Sequence, residues 1–143
     1  MDRRMIALGA KCELARRHFF DYCNLKAPDF YKPDRGDLVE FCETLQDFIV
    51  SDDDVLIINA PPRHGKSRTI GCLVAWVLGK GKQKKIMTGS YNETLSTTFS
   101  KGVRDTIMEV KADKSKAVYS DIFPKTKVKK GDAAMNLWSL QDL

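Results

Sequence analysis

Residues 55 to 59, VLIIN, run directly into APPRHGKS at 60 to 67, and that junction limits the fold more than any other part of the chain. Val55 to Ile58 form an apolar run rich in β-branched types, set between the acidic SDDD at 51 to 54 and two prolines. It is too short and too continuous for a surface helix and predicts a buried strand of the kind parallel sheets use. Pro61 and Pro62 each fix a backbone torsion and hold the next residues in a loop. From Lys66 the apolar positions fall at Ile70, Leu73, Val74, Val77 and Leu78, which predicts a helix packed on that sheet. KIMTGS at 85 to 90 is a second strand candidate, so the middle of the chain reads strand, helix, strand, helix. The fold class this predicts is α/β, a parallel sheet with flanking helices.

The flanks read differently. Residues 5 to 23 place Ile6, Leu8, Leu14, Ala15, Phe19, Phe20 and Cys23 opposite Arg16, Arg17 and Asp21, which predicts one amphipathic helix. Two prolines and a glycine in NLKAPDFYKPDRGD, 24 to 37, end it in a loop. Asp37 then opens a second helix, with Glu40 placed to complete a capping box and Leu38, Phe41, Cys42, Leu45, Phe48 and Ile49 on one side. Ser90 and Glu93 repeat the capping pattern ahead of a long helix carrying Leu95, Phe99, Val103 and Ile107. Beyond Ala112 the signal thins to a helical turn in AVYSDIFP, ending at Pro124, and a strand candidate in AAMNLWSL, 133 to 140. The chain therefore divides into a helical lead-in at 1–50, a core at 55–112 and an incomplete part at 113–143.

Composition excludes several classes. With 143 residues, 43% apolar and 30% charged, the chain has the make-up of one globular domain rather than a disordered segment. Cys12, Cys23, Cys42 and Cys72 include no CxxC pair, which favours reduced, buried thiols over zinc or disulfides. The longest apolar run, CLVAWVL at 72 to 78, is too short for a bilayer, and charge interrupts the N-terminus before a secretory core forms, so an intracellular protein is expected. The net charge of +5 suits a polyanionic partner. Its lysines cluster in GKGKQKK at 79 to 85 and KTKVKK at 125 to 130. Two solvated turns are the simpler account of these clusters, and contact with nucleic-acid phosphates the sharper one.

The loop at 60 to 67 carries the chemistry. A strand ending in a tight bend, amides turned inward, a lysine and a hydroxyl at a helix start are what it takes to hold a nucleotide's phosphates. Gly65 keeps side-chain bulk out of the bend, Lys66 would neutralise the outer phosphates, and Ser67 would supply an oxygen to Mg²⁺. Ala60 departs from the usual opening glycine of GxxxxGKS, but that position mainly serves the exit from the strand. His64 fits a brace for the loop better than a general base.

LIINAPPRHGKS, followed by IMTGSYNETLSTTFSKGVRD, resembles the ATPase domain of the large terminase subunit of tailed bacteriophages and prophages. Ser90, Tyr91, Leu95, Phe99, Val103 and Arg104 match the family's second block. KPDRGDLVEFCETLQDFI is similar to the helix before its loop, and LWSL at 137 to 140 to the approach to its next motif. The resemblance implies a partial P-loop NTPase domain of the ASCE or RecA-like kind, cut before the Walker B strand. It also implies ATP and Mg²⁺ as cofactors. Ala60, Pro61, Pro62, Arg63, His64, Gly65, Lys66, Ser67 and Arg68 would then hold the nucleotide. Lys66 and Arg63 would be the catalytic cations, Arg63 as the loop arginine that responds to the third phosphate. Double-stranded DNA, the portal protein and the small terminase subunit are the implied partners. The implied location is the bacterial cytoplasm, with transient residence at the procapsid portal.

Hydrolysis also needs an aspartate for Mg²⁺ and a carboxylate to position water at the end of a second apolar strand. No apolar run followed by paired acids occurs after Lys66, and the acidic run at 52 to 54 lies at the wrong end of the first strand. The chain is therefore expected to bind nucleotide without efficient turnover. Its sheet edges should be left uncovered, making it marginally stable or prone to associate. Two alternatives stay open: another P-loop motor such as a helicase or AAA-type ATPase, and a non-catalytic prophage remnant that binds nucleic acid or a partner. Phe30 and Tyr31 read as loop anchors rather than base-stacking platforms.

Overall fold

The computed structural model describes residues 2–81 and 84–141. Its helices are α1 (Arg3–Arg17), α2 (Phe19–Lys26), α3 (Gly36–Val50), α4 (Lys66–Lys80), α5 (Glu93–Ile107) and α6 (Tyr119–Ile122). The strands β1 (Val128–Ala133) and β2 (Trp138–Leu140) pair antiparallel, Val128 opposite Leu140 and Ala133 opposite Trp138. The chain separates into two compact units, Met1–Leu73 and Val74–Leu143.

This architecture corrects the predicted fold class. The described residues form a mostly helical chain with one two-stranded antiparallel sheet, not a parallel sheet of P-loop NTPase type. Residues 55 to 60 and 84 to 90 run without turn or bend, but neither segment joins a strand ladder. Neither makes a backbone hydrogen bond to any described residue. The apolar run at 55 to 58 is not buried either, for Val55 is 75% and Ile57 78% exposed, and Met87 in the other segment is 97% exposed. Strand-forming residues supply half of a ladder, and a ladder exists only where a second backbone meets them.

In the first unit, the predicted helix over 5 to 23 is two helices. His18 is extended between them (φ −124°, ψ 123°). One side chain from α3 satisfies both broken ends: the Phe19 amide donates to Gln46 Oε1 at 2.9 Å, and Gln46 Nε2 donates to the Arg17 carbonyl at 3.2 Å. The break turns the buried stripe onto Cys12, Ala15, Phe19, Tyr22 and Cys23, leaving Ile6 and Leu14 exposed. Leu38, Cys42 and Leu45 of α3 are buried with them, α2 packing against both α1 and α3. That helix starts at Gly36 rather than Asp37 and has no side-chain cap, so the expected capping box is absent. Arg35 meets Asp37 across the start at 3.3 Å.

The second unit buries Ala75, Trp76 and Leu78 of α4, Val103 and Ile107 of α5, and Val118, Tyr119, Ile122 and Phe123 around α6. The cap of α5 is Asn92, whose Oδ1 accepts the Leu95 amide at 2.8 Å, rather than Ser90. The helical turn predicted in AVYSDIFP is present as α6, and the strand candidate over 133 to 140 is realised only at Trp138–Leu140. Its partner β1, VKKGDA, was not foreseen. Gly79 lets α4 approach closely here, since a Cβ at that position would lie 2.5 Å from the Phe123 ring. The Tyr119 hydroxyl donates to the Ala75 carbonyl at 2.7 Å, pinning α6 to α4.

No helix among the described residues is long and apolar enough to cross a membrane. Burial raises the Tyr119 phenol above its ordinary value near 10. A raised value in the folded state means that stability is full below about pH 10 and falls as pH climbs beyond it, by up to about 1.4 kcal/mol per pH unit. Tyr119→Phe should cost about 1 kcal/mol near neutral pH, by removing the bond to Ala75, and should flatten that alkaline decline. Urea melts of both proteins across pH 7 to 11 check this.

Candidate phosphate-binding loop

Residues 60 to 65 lead into α4, and the helix begins at Lys66, where the sequence places it. The bend is made by two residues with positive φ, Arg63 at 64° and Gly65 at 76°. Glycine tolerates that region, whereas an arginine there is strained by roughly 1 kcal/mol or more. His64 Nδ1 lies 3.0 Å from the Pro62 carbonyl, a contact across the turn.

The exit of the loop is fixed from α4. Both the Thr69 amide and its Oγ1 donate to the Gly65 carbonyl, at 2.9 and 2.7 Å. Thr69 is fully buried, and its hydroxyl also lies 2.9 Å from the Tyr31 hydroxyl. Tyr31 is itself fully buried, so a polar pair inside the first unit ties the loop to the segment between α2 and α3. Gly65 is explained by the adjacent ring: a Cβ there would fall 2.6 Å from Phe30 Cζ. The residue thus clears Phe30.

Phe30 lies under two guanidiniums, Arg35 at 5.0 Å and Arg68 at 4.8 Å from its centroid, and meets Tyr31 edge-on at 4.9 Å. Its faces are therefore engaged by arginine, in keeping with a loop anchor. Arg68, assigned to the nucleotide on sequence, is held over Phe30 and also 5.9 Å from the Tyr31 ring.

Lys66 and Ser67 stand exposed on the first turn of α4, and their side chains contact no other described residue through a hydrogen bond or ion pair. Among the described residues, no acceptor meets the backbone N–H of Arg63, His64, Gly65, Lys66, Ser67 or Arg68. Successive open amides at a helix start, flanked by Arg63, Lys66 and Arg68, form a locally positive surface. Ala60, Pro61 and Pro62 lead into this turn, and the two prolines have no amide to add.

All four cysteines are free; in the first unit Cys23 and Cys42 are buried and Cys72 is half-buried. The Cys23 thiol is pushed up, first by its hydrogen bonds to Cys42 and Cys72 and then by burial. Cys72 is drawn below the ordinary thiol range by the bond to Cys23, aided by the Tyr31 hydroxyl and the Arg68 and Lys26 charges, against burial. Burial likewise raises the Tyr31 phenol.

The second sequence block belongs to the second unit. Tyr91 is exposed, while Arg104 is occupied, donating to the Ala133 carbonyl at 2.6 Å and pairing with Asp105 at 2.9 Å. Lys80 sits 4.4 Å from the Trp76 ring centroid, and Lys82 lies outside the described residues. Lys125, Lys127, Lys129 and Lys130 are exposed, the last two on β1 rather than in a turn.

Phe30 and Tyr31 were visible as aromatics in a loop, but Thr69 carried no signal, since a threonine one turn into a helix is ordinary composition. Comparison with protein families, curated proteins and solved structures found no match to this chain. Thr69→Val keeps the shape but removes the bonds to Gly65 and Tyr31, and should destabilise the protein by about 1–3 kcal/mol in chemical denaturation.

Proposed function

We propose that the turn at residues 60 to 68 binds the phosphates of Mg²⁺·ATP and that the chain is the nucleotide-binding part of a terminase-type DNA-packaging motor. The row of open amides from Arg63 to Arg68, ending beside exposed Lys66 and Ser67, carries the first half of this reading. Six backbone donors with no described acceptor, next to three cationic side chains, are matched by the oxygens of a polyphosphate. In this reading Lys66 neutralises the outer phosphates and Ser67 contributes an oxygen to Mg²⁺. Arg63, exposed on the turn, senses the terminal phosphate.

The second half rests on the likeness of the two sequence blocks to terminase large subunits. The reading stands on the loop and its helix and takes no support from a sheet. Lys125, Lys127, Lys129 and Lys130 are its proposed contacts to double-stranded DNA, and the portal protein and small terminase subunit its proposed partners. The host cytoplasm is the proposed location. Turnover is not part of the proposal, because no residue after Lys66 supplies the paired acids that hydrolysis requires.

Titration calorimetry of Mg²⁺·ATP into the whole chain should give saturable binding, and Lys66→Ala should weaken it by about 10- to 100-fold, the loss of one charge-assisted contact. Equal affinity in the variant, with circular dichroism unchanged, would remove Lys66 and with it the phosphate assignment. For DNA, filter binding should weaken steeply as salt rises, with a smaller slope after Lys129→Ala and Lys130→Ala together, and affinity flat in salt would discard the DNA contact.

A further inference from the structure

The second unit contains a cleft of about 740 Å³ floored by Val74, Leu78, Phe99, Val103 and Trp138. One of its walls is the segment from Lys84 to Thr88, with Lys84, Lys85, Ile86 and Thr88 on the lining. The lining includes two lysines and no acidic residue. The backbone of residues 84 to 89 has no hydrogen-bond partner among the described residues. An apolar floor beside an open, unbent backbone is the setting in which an added strand is taken up, because the ladder satisfies both backbones while side chains enter the cleft.

The chain carries a segment of matching character. Asp52, Asp53 and Asp54 precede Val55 to Ile58; the four apolar residues are likewise unbent and make no backbone hydrogen bond to a described residue, while Asp52 and Asp54 lie in bends and the Asp53 amide donates to Ser51 Oγ at 3.3 Å, a local contact that an added strand would exchange. Aligned parallel, Asp53 falls opposite Lys84, Asp54 opposite Lys85, Val55 opposite Ile86 and Ile57 opposite Thr88. Charge meets opposite charge at two successive positions, and Val55 and Ile57 then meet the cleft-lining Ile86 and Thr88, while Leu56 and Ile58 take the other face. In a strand Val55 and Ile57 share a face, and these are the two most exposed residues of the run, at 75% and 78%.

We infer that residues 53 to 58 of one copy of this chain add as a strand to residues 84 to 89 of a second copy, with Val55 and Ile57 seated in the cleft. The exchange is reciprocal, each chain donating one strand and accepting one, so that two copies close the assembly. This inference uses none of the loop's nucleotide chemistry.

Sedimentation velocity over a concentration series should show a dimer whose dissociation constant rises with salt. The pair Asp53→Lys and Asp54→Lys should raise that constant at least tenfold, and the pair Lys84→Glu and Lys85→Glu should do the same. All four positions are exposed, so folding is not at stake. Mixing the two variant chains should restore a heterodimer, because both of its strand contacts then join opposite charges. A chain that stays monomeric at every concentration overturns the inference, as does a dimer indifferent to both charge reversals. A monomer whose Trp138 fluorescence responds to a synthetic peptide of residues 51 to 60 would assign the cleft to a strand from another protein and would equally overturn the second-copy assignment.

Discussion

A backbone amide or carbonyl needs a partner, and where the partner stands decides what a segment becomes. In a helix the partner is four residues away, so α3, α4 and α5 are specified by their own sequence. In a strand the partner lies on another segment. Val55 to Ile58 and Ile86 to Thr88 have the residues of strands, yet they make no ladder with the described residues, and Val55, Ile57 and Met87 are largely exposed. Regular structure among the described residues is confined to the six helices and the β1–β2 pair.

The loop before α4 is held by contacts that bridge distant parts of the first unit. Thr69 fixes the Gly65 carbonyl, Tyr31 fixes Thr69 from 38 residues away, and Phe30 fills the space that only glycine leaves open at position 65. Arg35 and Arg68 close over the same ring. The strain of a left-handed Arg63 is thus set against a buried network on its C-terminal side, while the six amides from Arg63 to Arg68 meet no acceptor among the described residues.

What could be read from the residues alone follows the same division between local and distant partners. The start of α4 at Lys66 was legible, because two prolines and a glycine precede an apolar helical period. Turn α6 was legible through Pro124. The break at His18 was not, since it depends on Gln46 arriving from α3 to satisfy both ends. Asn92 rather than Ser90 caps α5, a choice between two good capping residues that composition does not settle. Strand β1 was missed because VKKGDA lacks alternating apolar residues and takes its form from pairing with β2. At the candidate site the loop residues were legible and their supports were not: Thr69 has no motif, and the role of Phe30 appears only when its ring is seen against Gly65.

Gly79 has a bearing on descent as well as on packing. With the Phe123 ring standing where a methyl group would project, positions 79 and 123 share one volume across the contact between α4 and the end of α6. Any related chain that carries a larger residue at the first position must give up bulk at the second, so the two would vary as a linked pair. Such a reciprocal trade in size, 44 residues apart, is a fingerprint of this packing that survives when the surrounding sequence has drifted beyond recognition.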